Sequence, residues 1–134
     1  MGLDVLSVGG TVTDIFIRLK DDQATVTKEK DGNLSITMPF GMKIPFDHAE
    51  ILRAVGNAGN TSVSFARLGL KSALHANIGS DTAGREILAT LDEDDVDTSL
   101  IKIHRGKASN QHYVLWYKEE RTILVHDEAY TYHW

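Results

Sequence analysis

The chain has 134 residues and a formal net charge of −5, with 42% hydrophobic and 25% charged residues. These proportions are ordinary for one globular domain or one large part of a domain. The absence of cysteine excludes disulfides and thiolate metal sites, and it is compatible with a cytoplasmic location. The sequence shows no basic patch of the kind that binds nucleic acids. No apolar run reaches the roughly 20 residues of a membrane helix, and no secretory signal is visible.

The first part of the chain predicts short strands. Residues 3–8 form an apolar run that ends at Gly9, which predicts a buried strand and a turn. Residues 14–19 are consistent with a second strand. From residue 20 to 46, turn signals separate short Thr-containing runs, so we expect small antiparallel strands that project from the main body. Residues 50–55 fit either a helix or a strand, and a strand is favoured.

The middle of the chain alternates between helix and strand patterns. Residues 56–60 predict a tight turn before a helix of small residues, and Gly69 stands where a helix C-terminal cap belongs. Residues 72–78 predict a buried strand. A second amphipathic helix follows, which Ser80 or Asp81 can cap, and Asp81 is expected to be a cap rather than a ligand contact. Residues 100–103 predict the next strand, so the spacing indicates a parallel α/β arrangement.

The last part of the chain predicts a hairpin and an aromatic end. Residues 113–117 and 121–125 are two strands separated by a charged turn. Apolar and polar side chains alternate in the first strand, so one face needs a partner. The sequence then ends in Tyr130, Tyr132 and Trp134, which we expect to leave an exposed aromatic surface. Two helices are too few to cover both faces of a mostly parallel sheet, so we expect the fold to continue beyond this chain.

A spaced set of small and amide residues lies in the sequence GNAGNTSVSFARLGLKSALHANIGSDTAG, from Gly56 to Gly84. It combines a glycine-rich turn and Asn60 with a Gly-x-Asp-x-x-Gly segment at residues 79–84. Upstream, VGGTVTD leads from the first strand to Asp14. This combination resembles the N-terminal signature of ribokinase-like (PfkB family) carbohydrate kinases.

The resemblance implies a fold class and a domain organisation. The expected fold is α/β and ribokinase-like, with a partial parallel sheet flanked by helices and a small β lid. Residues 1–134 would form the N-terminal, acceptor-binding part of the domain, with lid segments at about 17–46 and 108–126. The C-terminal half of the domain would be absent, as in a truncated fragment. Lids of this family often pair, so the resemblance also implies a homodimer through the lid.

The same resemblance implies the site residues. Asp14 would bind sugar hydroxyls, because one carboxylate can accept hydrogen bonds from two neighbouring hydroxyls. Gly56, Asn57 and Asn60 would form the turn that approaches the ligand closely. At the C-terminal ends of neighbouring strands, these residues would line the crevice where open α/β sheets bind ligands. The alternatives are that Asp14 is a turn residue and that both asparagines are ordinary residues of a helix start.

The implied activity is phosphoryl transfer to a hydroxyl of a sugar or nucleoside, with ATP and Mg as cofactors of the complete enzyme. The family's catalytic Asp lies in a Gly-Ala-Gly-Asp motif near the far end of its chains, and this sequence has no such motif. We therefore expect no catalytic residue, no bound cofactor and no activity of this chain alone. The six histidines show no helical pair, so no metal site is expected. A non-catalytic carbohydrate-binding or assembly module is the alternative.

Overall fold

The computed structural model describes residues 2–131, which contain ten strands and two helices. The strands, in chain order, are β1 (Val5–Val8), β2 (Val12–Leu19), β3 (Thr25–Lys28), β4 (Leu34–Thr37), β5 (Phe46–Val55), β6 (Ser72–His75), β7 (Asn77–Gly79), β8 (Lys102–His104), β9 (Gln111–Tyr117) and β10 (Glu120–His126). The helices are α1 (Asn57–Arg67) and α2 (Thr82–Glu93). No helix in the described range is long and apolar enough to cross a membrane.

A parallel α/β layer, which we call the body, contains β1, β6, β7, β8 and both helices. Strand β1 pairs with β6 and β7 pairs with β8, in each case in parallel, as expected from the sequence. The apolar sides of the helices close over these strands. The buried cluster consists of Ala54, Ala58, Leu74, Ala76, Ile78, Ile87, Leu91 and Val96. This cluster is the main core of the described chain.

The predicted strand at 72–78 is divided in the structure. Strand β6 ends at His75 and β7 begins at Asn77, with the fully buried Ala76 between them. The backbone N–H of Lys102 donates to the carbonyl of Ala76 at 2.9 Å. The segment therefore changes its partner from β1 to β8 at this residue, which interrupts one continuous ladder.

A four-stranded sheet in the order β10-β9-β2-β5 forms the second part of the molecule. Strands β9 and β10 form the predicted antiparallel hairpin, β2 and β5 are antiparallel, and β2 and β9 are parallel. Strands β3 and β4 form a separate hairpin. The Tyr117 hydroxyl lies 2.9 Å and 3.0 Å from the carbonyl oxygens of Asp21 and Ala24, which attaches the turn before β3 to the sheet.

The register of this sheet defines two faces, because residues opposite each other on neighbouring strands share a face. The row Leu52, Asp14, His112 and Val125 crosses all four strands. We call its side the Asp14 face, and Phe16, Val114 and Trp116 belong to it. The other side, which we call the apolar face, carries Ile15, Ile17, Ile51, Tyr113, Leu115 and Leu124. Among these, Ile51, Tyr113 and Leu124 are 48%, 41% and 52% exposed.

An irregularity in β5 connects the sheet to the body. Val12 is opposite Val55, but Asp14 is opposite Leu52. Between these two pairs β2 advances by two residues and β5 by three, so β5 contains one extra residue. Ala54 lies in the extra position with a φ of 57°, and it is 3% exposed within the core cluster. Such a bulge bends a strand and increases its twist. It lets the end of β5 join the buried core while the rest of the strand stays in the open sheet.

The predicted turn before α1 is shorter in the structure than in the sequence prediction. The helix begins at Asn57, and Gly56 is its N-terminal boundary residue with a φ of 94°. The N–H of Asn60 already donates to the carbonyl of Gly56 at 2.8 Å, as in a helix. At the other end, Gly69 has a φ of 86° and its N–H donates to Ala66, which confirms the predicted cap.

The prediction of an exposed aromatic end is wrong for Tyr130. This residue is only 8% exposed, its hydroxyl donates to the carbonyl of Ala108 at 2.6 Å, and its ring stacks on His104 at 4.7 Å. The hydroxyl finds a partner as the ring is buried, which is the usual condition for burying tyrosine. Tyr132 and Trp134 lie outside the described residues.

Candidate functional site

The turn between β1 and β2 contacts the start of α1 through glycines. A Cβ atom added to Gly56 would lie 3.2 Å from the carbonyl oxygen of Gly10, and one added to Gly9 would lie 3.1 Å from the Cβ of Ala58. Both glycines also have positive φ values, of 94° and 151°. Side chains at these positions would push the two segments apart. The glycines therefore bring the start of β2 directly against the first turn of α1.

The start of α1 presents backbone N–H groups without a side-chain cap. Gly56 offers no side chain, and no acidic residue lies in the first turn. The first N–H groups of any helix lack partners within the helix and favour electronegative atoms. Asn57 and Gly10 line a surface cleft here together with Ser7 and Thr61.

Asp14 lies on β2 beside this turn, at the position where the sequence predicts a ligand carboxylate. It is two residues from Val12, or about 7 Å along the strand, and Val12 is opposite Val55 at the end of β5. The Oδ1 atom of Asp14 is buried and makes no hydrogen bond. The side chain as a whole is 24% exposed. A buried carboxylate oxygen without a hydrogen-bond donor is uncommon and calls for an explanation.

His112 is the nearest charged partner of that oxygen. Its Nδ1 atom lies 3.3 Å from Asp14 Oδ1, although the two are not aligned as a hydrogen bond. Its Nε2 atom lies 3.4 Å from Oδ1 of Asp127. The imidazole therefore stands between two carboxylates, on the strand next to Asp14.

The two predicted asparagines are not brought together. Asn57 faces the cleft beside Gly9 and Gly10, whereas Asn60 lines a second cleft formed by the end of β5 and by α2. They are three positions apart in α1, but they border different depressions. Of the four predicted site residues, Asn57 and Asn60 border different clefts, Gly56 contacts the turn before β2, and Asp14 lies further along β2, opposite Leu52.

Asp81 caps α2, as the sequence predicts. Its Oδ1 accepts from the N–H of Gly84 at 2.9 Å and from the Ser109 hydroxyl at 2.7 Å, and its Oδ2 accepts from the N–H of Ser109 at 3.0 Å. Partial burial raises the pKa of Asp81, but the hydrogen bonds from Ser109 and Gly84 outweigh it and lower that pKa below its usual range. All its strong contacts are internal, so the carboxylate is structural.

Three further buried hydroxyls near Asp14 also lack hydrogen-bond partners. They belong to Ser7, Thr11 and Thr13, and each residue is at most 7% exposed. Together with Asp14 Oδ1, these atoms lie within eight consecutive residues, from the end of β1 to the middle of β2. Most buried polar atoms in folded proteins have a hydrogen-bond partner. This segment therefore has an unusual number of buried oxygen atoms that are free to bond to a ligand or to water.

Sequence reasoning did not find His112 or Asp127. The histidines were considered only as helical metal pairs, and His112 is on a strand. Its approach to Asp14 depends on the parallel pairing of β2 with β9, which joins residues far apart in the sequence. Among residues 2–131, no group of three or more His, Asp or Glu side chains is arranged to hold a metal ion.

Comparison with known proteins gives the family. The sequence profile of the pfkB family carbohydrate kinases matches residues 51–133, which is more than half of the chain. The chain belongs to the pfkB family of carbohydrate kinases. No curated protein sequence matches it significantly.

Solved structures show the same fold. A candidate ribokinase from Agrobacterium tumefaciens is 25% identical with a TM-score of 0.63, and the match covers 91% of this chain and 35% of that one. A ribokinase from Arabidopsis thaliana complexed with ribose and ATP is 18% identical with a TM-score of 0.72, and the match covers 93% and 36%. A ribokinase from Cryptococcus neoformans in complex with ADP is 22% identical with a TM-score of 0.64, covering 90% and 33%.

These structures confirm the predicted ribokinase-like α/β fold. The chain spans about a third of the length of the proteins that it matches. It is thus a sugar-kinase fold over part of the length of those proteins.

Proposed function

We propose that this chain forms the acceptor-binding part of an ATP-dependent kinase that phosphorylates a hydroxyl of a sugar or nucleoside. The observation that carries the proposal is Asp14. Its buried Oδ1 has no hydrogen-bond donor, and it lies on β2 just after a glycine turn that contacts the start of α1. A hydroxyl-rich ligand would supply the missing donors.

The chemistry of the site suits a polyol. An ionised carboxylate accepts hydrogen bonds only, and its hydrogen bonds to hydroxyls are shorter and stronger than neutral ones. The N–H groups at the start of α1 donate, so they would serve the lone pairs of the same hydroxyls. A site that pairs its buried polar groups with ligand hydroxyls strongly rejects ligands that lack them. Asp14, Gly56 and Asn57 form this set, and Asn60 joins it only if the ligand reaches the second side of α1.

Ribose is the first acceptor to test. The Arabidopsis ribokinase was solved with ribose and ATP, and the Cryptococcus ribokinase with ADP. The sequence identities to these two ribokinases are 18% and 22%, so the likeness supports the fold only. Ribose as the acceptor of this chain is part of the proposal. A cytoplasmic location belongs to the same proposal.

ATP and Mg²⁺ enter the proposal as cosubstrates of a complete kinase. Within residues 2–131 no cluster of three acidic or histidine side chains fits a metal ion. The proposal assigns the catalytic step to another part of the complete kinase, because the Gly-Ala-Gly-Asp motif that carries the family's catalytic Asp does not occur in this sequence. Its role is to bind and orient the acceptor, which is a large share of catalysis by proximity.

Two measurements on the 134-residue chain test the proposal. Isothermal titration calorimetry with D-ribose is expected to show one binding site, and a coupled ADP-release assay with ribose and ATP is expected to show no turnover. Ribose and a panel of hexoses and nucleosides that all fail to bind would refute acceptor binding. Turnover that copurifies with the chain would refute inactivity. A carbohydrate-binding module without catalysis, the alternative, differs by showing no turnover even when the remainder of a family kinase is supplied in trans.

We further propose that two copies pair through the apolar face. This face carries Ile51, Tyr113 and Leu124, each close to half exposed, on three of the four strands. Contiguous exposed apolar side chains mark association surfaces. A two-fold dimer would bring the same face of each copy together, with the apolar rows as its centre.

A further inference from the structure

The strongest unassigned feature is the row of charged groups that begins at Asp14. On the Asp14 face, His112 lies beside Asp14 on the neighbouring strand, and Asp127 lies on the far side of the imidazole. The other two residues of the row, Leu52 on β5 and Val125 on β10, are apolar. Among the described residues, Asp14 and Asp127 are the carboxylates that lie within 4 Å of the His112 ring nitrogens.

Each ring nitrogen of His112 has a carboxylate oxygen beside it, at 3.3 Å for Nδ1 and 3.4 Å for Nε2. A ring nitrogen that carries a proton donates, and an ionised carboxylate oxygen accepts. Nδ1 of His112 is therefore in place to donate to Asp14.

The backbone just after Asp127 is attached to the segment before β9, and the Asp127 side chain itself is 63% exposed. The N–H of Glu128 donates to Oδ1 of Asn110 at 2.8 Å, and the Lys107 ammonium contacts Glu128 Oε1 and the carbonyl of Ala129, each at 2.8 Å. Lys107 lowers the pKa of Glu128. These contacts bind the segment after β10 to the segment before β9. They keep Asp127 next to the strand that carries His112.

We propose that His112 is a positioning residue of the acceptor site, which orients the Asp14 carboxylate for ligand hydroxyls. This inference rests on the proposed role of Asp14. Contacts in ligand-free sites are often poorly aligned and tighten when the ligand binds. A hydrogen bond donated from Nδ1 to one lone pair of Oδ1 would fix the carboxylate plane. The second lone pair of Oδ1 and both lone pairs of Oδ2 would then accept from ligand hydroxyls.

The test uses the full chain, D-ribose as the probe, and His112→Gln with His126→Gln as the matched control. His126 ends β10, is exposed and lies on the opposite face of the sheet. We expect His112→Gln to weaken ribose binding about 3- to 10-fold at pH 6, because the variant loses the one hydrogen bond that orients Asp14. The control should bind as the wild type does. Asp127→Asn should weaken binding in the same direction.

A double-mutant cycle separates positioning from general damage. In an Asp14→Asn background, His112→Gln should have little further effect, because the two act through one carboxylate. Equal losses in both backgrounds would overturn the proposal. Thermal melts of both histidine variants show whether folding is affected.

A ligand-independent arm keeps the result clear if ribose does not bind. In ¹⁵N-histidine NMR spectra of the chain, Asp14→Asn should shift the Nδ1 signal of His112. His126 signals should stay unchanged. Failure of ribose binding with a shifted Nδ1 signal would count against the proposed acceptor and support the coupling. An unchanged Nδ1 signal would overturn the role of His112 whether or not ribose binds.

Discussion

The body and the four-stranded sheet use hydrophobic residues in opposite ways. In the body, Leu74, Ile78, Ile87 and Leu91 are at most 1% exposed, and helices cover the strands. In the sheet, β10 is exposed along its whole length, and many apolar side chains are near half exposed. Both parts have strand-like or amphipathic patterns in the sequence. The apolar side chains of the body are buried by other parts of the same chain, whereas many of those in the sheet remain exposed.

This difference separates stability from function. A packed core contributes most of the free energy that stabilises the fold, so substitutions there should change the free energy of unfolding. An open sheet with one charged row and one apolar face offers surfaces for a ligand and a second copy. Asp14, His112 and the apolar face all lie on the sheet, whereas the cap residue Asp81 lies in the body. Variants in the two regions should therefore change different measurements.

The largest effect is expected for truncation of the core. Ile87→Ala removes a fully buried side chain from α2 and leaves a cavity, so unfolding should cost about 2–5 kcal/mol less. Ile123→Ala, on a side chain that is 47% exposed in β10, should cost less than about 1 kcal/mol. Urea unfolding followed by circular dichroism measures both. Equal destabilisation would mean that the sheet has a core of its own.

Removal of the proposed ligand carboxylate comes next. Asp14→Asn keeps the shape of the side chain but removes its charge, and it should weaken ribose binding by about 1.5–3 kcal/mol. Asp81→Asn is the matched control in the body, and it should leave affinity nearly unchanged. Calorimetry with D-ribose compares the two. If both variants weaken binding equally, the assignment of Asp14 to the site is wrong.

A charge on the apolar face should break the proposed dimer. Leu124 and Ile123 are neighbours on β10 and are 52% and 47% exposed, but they lie on opposite faces of the sheet. Leu124→Glu should weaken self-association at least tenfold, about 1.4 kcal/mol, because it would bury an unpaired charge. Ile123→Glu should leave it intact. Trp116 is not suited to this test, because it lies on the Asp14 face, where it contacts Arg18.

Light scattering coupled to size-exclusion chromatography measures the masses of these variants at micromolar concentration. A wild-type chain that elutes as a sharp monomer would refute pairing. A dimer that Ile123→Glu disrupts, and Leu124→Glu does not, would move the interface to the Asp14 face.

The smallest effect concerns the acid stability of the body. The folded-state pKa of Asp81 is lower than its usual value of 3.8, so its charged form stabilises the fold. This contribution is present above about pH 4 and is lost as the pH falls through the folded-state pKa. Asp81→Asn should cost about 1 kcal/mol at pH 7 and progressively less as the pH falls below 4. A cost that stays constant from pH 7 to pH 2.5 would show that the charge is not the stabilising feature.

The sequence predicted features that depend on local chemistry. Gly69 and Asp81 are at helix ends because their conformational freedom and hydrogen-bonding capacity suit those positions, and both predictions are confirmed. The hairpin of β9 and β10 follows from alternating strands around a short turn. The family also followed from the spacing of glycines and asparagines along one segment, and the profile match bears this out.

The sequence by itself determined the elements, the fold class and Asp14 as the residue to examine, because these depend on short-range pattern and on residue type. Only the tertiary structure decided which residues share a face and which polar atoms lack partners. The parallel pairing of β2 with β9 sets His112 against Asp14, and the bulge at Ala54 shifts the register of β5 by one residue. The tertiary structure also places Asn57 and Asn60 at different clefts, and it stacks the Tyr130 ring on His104. Strand register and long-range packing arise from contacts between residues far apart in the chain, so no local pattern encodes them.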